Sequence, residues 1–123
     1  MPFDPRSKQI LVVDDDPRLR EILIQRLRTR GWTVDGAEGG DAAMGKLAAS
    51  DYDLIILDLM MGEIGGNDVF LALQSLPNKP RVIIVSALAE LWRRTHHERD
   101  AFAIFPKPVE FQKLTAAIEM ALR

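Results

Sequence analysis

Apolar residues along this chain fall into two patterns. Ile10-Leu11-Val12-Val13, Leu54-Ile55-Ile56-Leu57 and Val82-Ile83-Ile84-Val85 are short unbroken runs, the form taken by parallel strands that are covered on both faces. Between them, Leu19, Ile22, Leu23 and Leu27, then Val69, Phe70, Leu73 and Leu76, and finally Phe111, Leu114, Ile118 and Leu122 recur at helical spacing. With two less apolar strands added, the pattern predicts strands over residues 9–13, 33–37, 53–57, 81–85 and 101–105, each followed by a helix. Strands alternating with helices predict an α/β fold, (βα)5, with a doubly wound parallel five-stranded sheet and right-handed crossovers.

Punctuation supports these boundaries. Asp16 is placed to cap the first helix with Pro17 at its first position, and Gly31 to close it in the left-handed conformation. Asp41 is expected to cap the second helix, which buries Ala43 and Leu47. Gly62, Gly65 and Gly66 predict a loop, and Pro77 and Pro80 bracket the exit from the third helix. The fourth helix, over 88–99, has a thin stripe of Leu88, Leu91 and Trp92, so Trp92 is expected to be partly exposed. His96 and His97 lie among Arg93, Arg94 and Arg99, which reads as a solvated basic face suited to an acidic partner surface.

Composition narrows the function. A chain of 123 residues with 47% hydrophobic content has room for one domain and a core, here 9–123 after a lead-in at 1–8. Sixteen basic against eighteen acidic side chains leave a net charge of -2, which offers no general attraction to nucleic acid or anionic membrane. Cysteine is absent, which excludes disulfides, thiolate metal sites and cysteine nucleophiles. The apolar runs fall far short of the roughly 18 residues a membrane helix needs, and no signal-peptide core is evident. The expectation is a soluble cytoplasmic protein.

The chemistry gathers at strand ends. Asp14-Asp15-Asp16 follows the first strand, and Asp58 closes the third, where α/β sheets place their ligands. Crowded carboxylates repel one another unless a hard cation neutralises them, which points to a Mg²⁺-type oxygen site. The triplet alone is equally well explained as a helix cap. If Asp16 is the cap, Asp14 and Asp15 are left for metal. Ser86 ends the fourth strand and Lys107 the fifth.

Asp14-Asp15, Asp58, Ser86-Ala87 and Lys107-Pro108, in this order and with these separations, resemble the receiver domain of bacterial two-component response regulators, of the chemotaxis-receiver type, from Gln9 to Leu122. The resemblance implies a flavodoxin-like sheet in the order 2-1-3-4-5. It implies Asp58 as the phosphoacceptor, served by a sensor histidine kinase or phosphotransfer protein, with Mg²⁺ held by Asp14, Asp15, Asp58 and the main-chain carbonyl of Met60. Ser86 and Lys107 then contact the phosphoryl oxygens, and the Lys107-Pro108 bond is cis. A phosphorylation-controlled signalling module is implied, with an output face around the 88–99 helix and fifth strand. Beyond self-phosphorylation and slow self-dephosphorylation no enzyme activity is expected, nor direct nucleic-acid or membrane binding; the output partner and homodimerisation stay open.

Three departures bear on later steps. Gly62 stands where the family usually has proline, and Ile104 where it has the aromatic switch residue; Phe105 should face the other side of its strand. The apolar Met60 and Leu88 occupy positions that, by resemblance, tune acyl phosphate hydrolysis, and imply slow release. Two other functions fit the residues less well. A receiver-like module acting by constitutive contact would have no need for crowded acids. A flavin carrier or aspartate-nucleophile phosphatase on this fold would need a phosphate loop where the triplet stands, or a cap segment.

Overall fold

The computed structural model describes residues 8–59, 66–95 and 100–123. Its elements alternate as β1 (Gln9–Val13), α1 (Pro17–Thr29), β2 (Thr33–Ala37), α2 (Gly40–Ala49), β3 (Leu54–Leu57), α3 (Gly66–Leu73), β4 (Arg81–Ser86), α4 (Ala89–Thr95), β5 (Ala103–Pro106) and α5 (Phe111–Ala121). The strands form one parallel sheet in the order β2-β1-β3-β4-β5, as expected. Among the described residues no helix is long and apolar enough to cross a membrane.

Strand alternation splits the core in two. Ile10, Val12, Leu54, Ile56, Ile83 and Val85 pack with Leu23, Ile24 and Leu27 of α1 and Leu114 and Ile118 of α5. The intervening residues, Leu11, Val13, Ile55, Leu57, Val82 and Ile84, pack on Ala43 of α2, Val69, Phe70 and Leu73 of α3, and Trp92 of α4. β1, β3 and β4 are thus covered on both sides, the physical reason for their unbroken apolar runs. Ile104 and Phe105 fall into opposite halves, so the phenyl ring cannot stand in for a group at 104.

Several local expectations need correction. Ile24, not Ile22, completes the buried face of α1; Ile22 is exposed, one step outside the face centred on Leu23 and Leu27. Gly39 rather than Asp41 occupies the N-cap of α2, without a side-chain cap bond, and Asp41 lies in the first turn, where its charge suits the helix dipole. Trp92 is only 4% exposed, and its ring meets Phe70 edge-on at 5.4 Å. Ala89 is the other buried residue of α4, while Leu88 and Leu91 are exposed. The small alanine lets the helix approach closely enough to cover the indole. The α1 boundaries match expectation: the Asp16 carboxylate accepts the Arg18 and Leu19 amides, Pro17 opens the helix, and Gly31 takes a φ of 99°. His96, His97, Arg99, Met60 and Gly62 lie outside the described residues.

Tyr52, the only tyrosine, is buried beside β3, and its hydroxyl donates to Asp35 Oδ2 at 2.8 Å. Burial, reinforced by that carboxylate, pushes the phenol up to about 12. Because the folded value lies above the unfolded one, the contribution to stability is complete below pH 10 and is lost as pH rises towards about 12. Ultraviolet titration of the folded protein should show phenolate only near the upper limit. Half-ionisation at pH 10 would mean that neither the burial of the phenol nor its Asp35 contact persists in solution.

Candidate functional site

Asp14, Asp58 and Lys107 are each placed by a ladder bond that runs past a strand end. The Asp14 amide donates to Ala37 at 3.2 Å, that of Asp58 to Val13 at 3.0 Å, and that of Lys107 to Ser86 at 3.2 Å. Four chain segments therefore deliver their first post-strand or last strand residue to the same carboxyl edge of the sheet. Asp14 and Asp58 are only 3% and 4% exposed, and the Lys107 ammonium reaches both carboxylates, at 3.0 Å from Asp14 Oδ2 and 2.9 Å from Asp58 Oδ2. The Lys107-Pro108 peptide is cis, as expected.

The electrostatics follow from two buried acids sharing one cation. Burial pushes the Asp14 carboxyl above its usual range; the Asp16 amide and Lys107 oppose the shift, and Asp58 adds to it. Burial alone would lower the Lys107 ammonium, but its hydrogen bonds to Asp58 and Asp14 outweigh that and hold it above its ordinary value.

Asp15 is exposed, yet one oxygen from each of Asp14, Asp15 and Asp58 lies within 4.8 Å of the others. This all-carboxylate set suits a hard divalent cation such as Mg²⁺, and Lys107 already marks the place with positive charge. The further carbonyl expected from Met60 lies outside the described residues.

Ser86 is fully buried, and its hydroxyl accepts the Leu88 amide at 3.1 Å. Its link to Lys107 is the main-chain bond, so the hydroxyl belongs to its own turn in this state. Leu88 stands on that turn, 37% exposed. Ile104 is partly buried against the α3–α4 half of the core, and its carbonyl accepts Arg93 Nη2 at 2.7 Å. One participant was missed from sequence: Arg20 Nη1 donates to the Asp14 carbonyl at 2.7 Å. Its position one turn into α1 carried no mark that distinguished it from the exposed Arg18.

A doubly wound parallel sheet that gathers three carboxylates and a lysine at its carboxyl edge, in this strand order, defines a receiver domain. The chain belongs to that family: residues 10–119 match the response regulator receiver domain. It is 32% identical over 116 residues to the probable transcriptional regulatory protein SilR of Salmonella typhimurium, a match covering 94% of this chain and 51% of that protein. The chain thus spans about half the length of such a relative. Among solved structures, the response regulator TrrA of Thermotoga maritima in complex with Mg²⁺-BeF is 32% identical, with a TM-score of 0.83 over 94% of this chain and 99% of that one. TrrA in complex with the histidine kinase ThkA matches at 31% identity and a TM-score of 0.77, covering 94% and 99%.

Proposed function

We propose that this chain is a phosphorylation-controlled signalling receiver that takes a phosphoryl group onto Asp58 from the phosphohistidine of a sensor histidine kinase or phosphotransfer protein. The observation that carries this is the Asp58 carboxylate, buried at the end of the central strand with the Lys107 ammonium 2.9 Å away and Asp14 on the same cation. In the transfer, an Asp58 carboxylate oxygen forms a bond to phosphorus while the phosphorus–nitrogen bond breaks, and the imidazole leaves with the electron pair. Lys107 holds positive charge where the phosphoryl oxygens arrive. Asp14, Asp15 and Asp58, with the Met60 carbonyl, would hold Mg²⁺, whose charge offsets that of the phosphoryl oxygens. The complex of TrrA with Mg²⁺-BeF and its complex with a histidine kinase support this reading.

The Ser86 hydroxyl supplies the route from chemistry to shape. When the phosphoryl group arrives, this hydroxyl, whose oxygen accepts the Leu88 amide, donates its proton to a phosphoryl oxygen and draws the turn inward. α4 begins at Ala89, immediately after that turn, so the face formed by α4 and β5 receives the change and presents it to an output partner.

A Mg²⁺ titration with and without beryllofluoride, which mimics an acyl phosphate, tests the whole reading by backbone NMR. Amides of Asp14, Asp15 and Asp58 should respond to Mg²⁺, and those of Ser86 to Leu88 should move further with beryllofluoride. β5 should shift only weakly, because Ile104 has no ring to swing into the space Ser86 vacates. Beryllofluoride without effect on the Ser86 turn would favour a module acting by constitutive contact, and a large rearrangement around Ile104 would overturn the weak-switch expectation.

A further inference from the structure

We propose that Arg20 is a positioning residue of the metal site, holding the Asp14–Asp15 peptide so that the Asp15 carboxylate joins those of Asp14 and Asp58. The inference rests on the reading of these three acids as a Mg²⁺ site. Asp14 is restrained at every polar atom. Its amide donates to Ala37, its Oδ1 accepts the Asp16 amide at 2.9 Å, its Oδ2 meets Lys107, and its carbonyl accepts Arg20 Nη1 at 2.7 Å. The side-chain contacts orient Asp14 itself. The carbonyl bond acts on the peptide plane that leads to Asp15.

That plane matters because Asp15 has no support of its own. Its side chain is exposed and makes no hydrogen bond or ion pair among the described residues, so the backbone, by setting the direction of the Cα–Cβ bond, decides which positions its rotamers can bring the carboxylate to. Ligand carboxylates placed by an outer hydrogen bond lose metal affinity when that bond is removed.

The path of the arginine is built into the fold. A Cβ added at Gly36 on β2 would lie 2.6 Å from Ile24 Cδ1, 3.3 Å from Arg20 Cδ and 3.5 Å from Arg20 Cγ. The bare glycine therefore leaves the groove along which the Arg20 stem and Ile24 pack on the way to Asp14.

Charge and position predict opposite signs for the same variant, which makes the test decisive. A guanidinium beside three acids repels an incoming dication, so if charge were all that Arg20 contributed, Arg20→Gln would bind Mg²⁺ more tightly. If it positions Asp15, Arg20→Gln should weaken Mg²⁺ binding about tenfold, and Arg20→Lys, which keeps a donor on a long stem, should recover part of the loss.

Amide-detected Mg²⁺ titrations of the folded wild type and variants give these affinities, and the metal-free Asp15 amide shift reports the peptide plane directly. Equal or tighter binding by folded Arg20→Gln overturns the proposal. Should that variant not fold, Arg20→Met, which keeps an apolar stem along Gly36 and removes the donor, undergoes the same titration, and wild-type affinity there overturns it. Wild-type protein indifferent to Mg²⁺ would instead remove the metal-site reading beneath it.

Discussion

Asp58→Asn is expected to abolish phosphoryl uptake. With acetyl phosphate and Mg²⁺, intact-mass spectrometry should find one added phosphoryl group on the wild type and none on the variant. An amide oxygen is a far weaker nucleophile than a carboxylate oxygen, and the substitution also withdraws one charge from the candidate metal site. The fold should survive. The substituted asparagine would keep the main-chain bond that Asp58 makes to Val13 at 3.0 Å, and its side-chain oxygen can still accept from Lys107. Relief of the repulsion between the two buried acids makes a modest gain in stability the expected side effect. A mass increment that persists in the variant would place the phosphorylation on another residue.

Lys107→Ala should cost the metal-free protein about 3 kcal/mol, the scale of removing one partner from a buried ion pair. For a domain of this size that corresponds to a fall in Tm of about 10 °C. The cause is specific: Lys107 Nζ is the cation shared by Asp14 and Asp58, both nearly inaccessible to water. Mg²⁺ should therefore restore most of the loss in the variant while raising the wild-type Tm much less, since the ammonium already neutralises the same oxygens in the wild type. Thermal melts with and without Mg²⁺ separate the outcomes. A loss of stability that Mg²⁺ leaves untouched would mean that Lys107 acts through packing of its stem instead. The same variant should accept phosphoryl groups slowly, because the charge that meets the phosphoryl oxygens is gone.

The strands were the most legible part of the chain. Burial on both faces removes any need for polar alternation, so β1, β3 and β4 announce themselves as solid apolar runs, and β1 and β2 fall on the expected residues. The cap of α1 was equally plain, since Asp16 and Pro17 act on their own neighbours. Helix faces were less so. The inward side of α4 is set by Ala89 and Trp92, and the small residue carries little weight in any hydrophobic pattern although its size admits the indole against Phe70. The same cause moved Ile22 outside the α1 face and Ile24 into it, where the missing side chain of Gly36 makes room.

What the sequence by itself determined is the order of elements and which residues stand at the strand ends, because hydrophobic period, capping and chain punctuation are local properties. Asp14, Asp15, Asp58, Ser86 and Lys107 could all be nominated on that basis. Only the tertiary structure decided their relations: that one ammonium bridges Asp14 and Asp58, that the Ser86 hydroxyl is engaged by its own turn, and that Arg20 reaches back across Gly36 to the Asp14 carbonyl. These contacts join β1, β3 and β5, and α1 to the end of β1 across β2. Their geometry is fixed by the register of a parallel sheet and the packing of helices on it, which no stretch of sequence contains on its own.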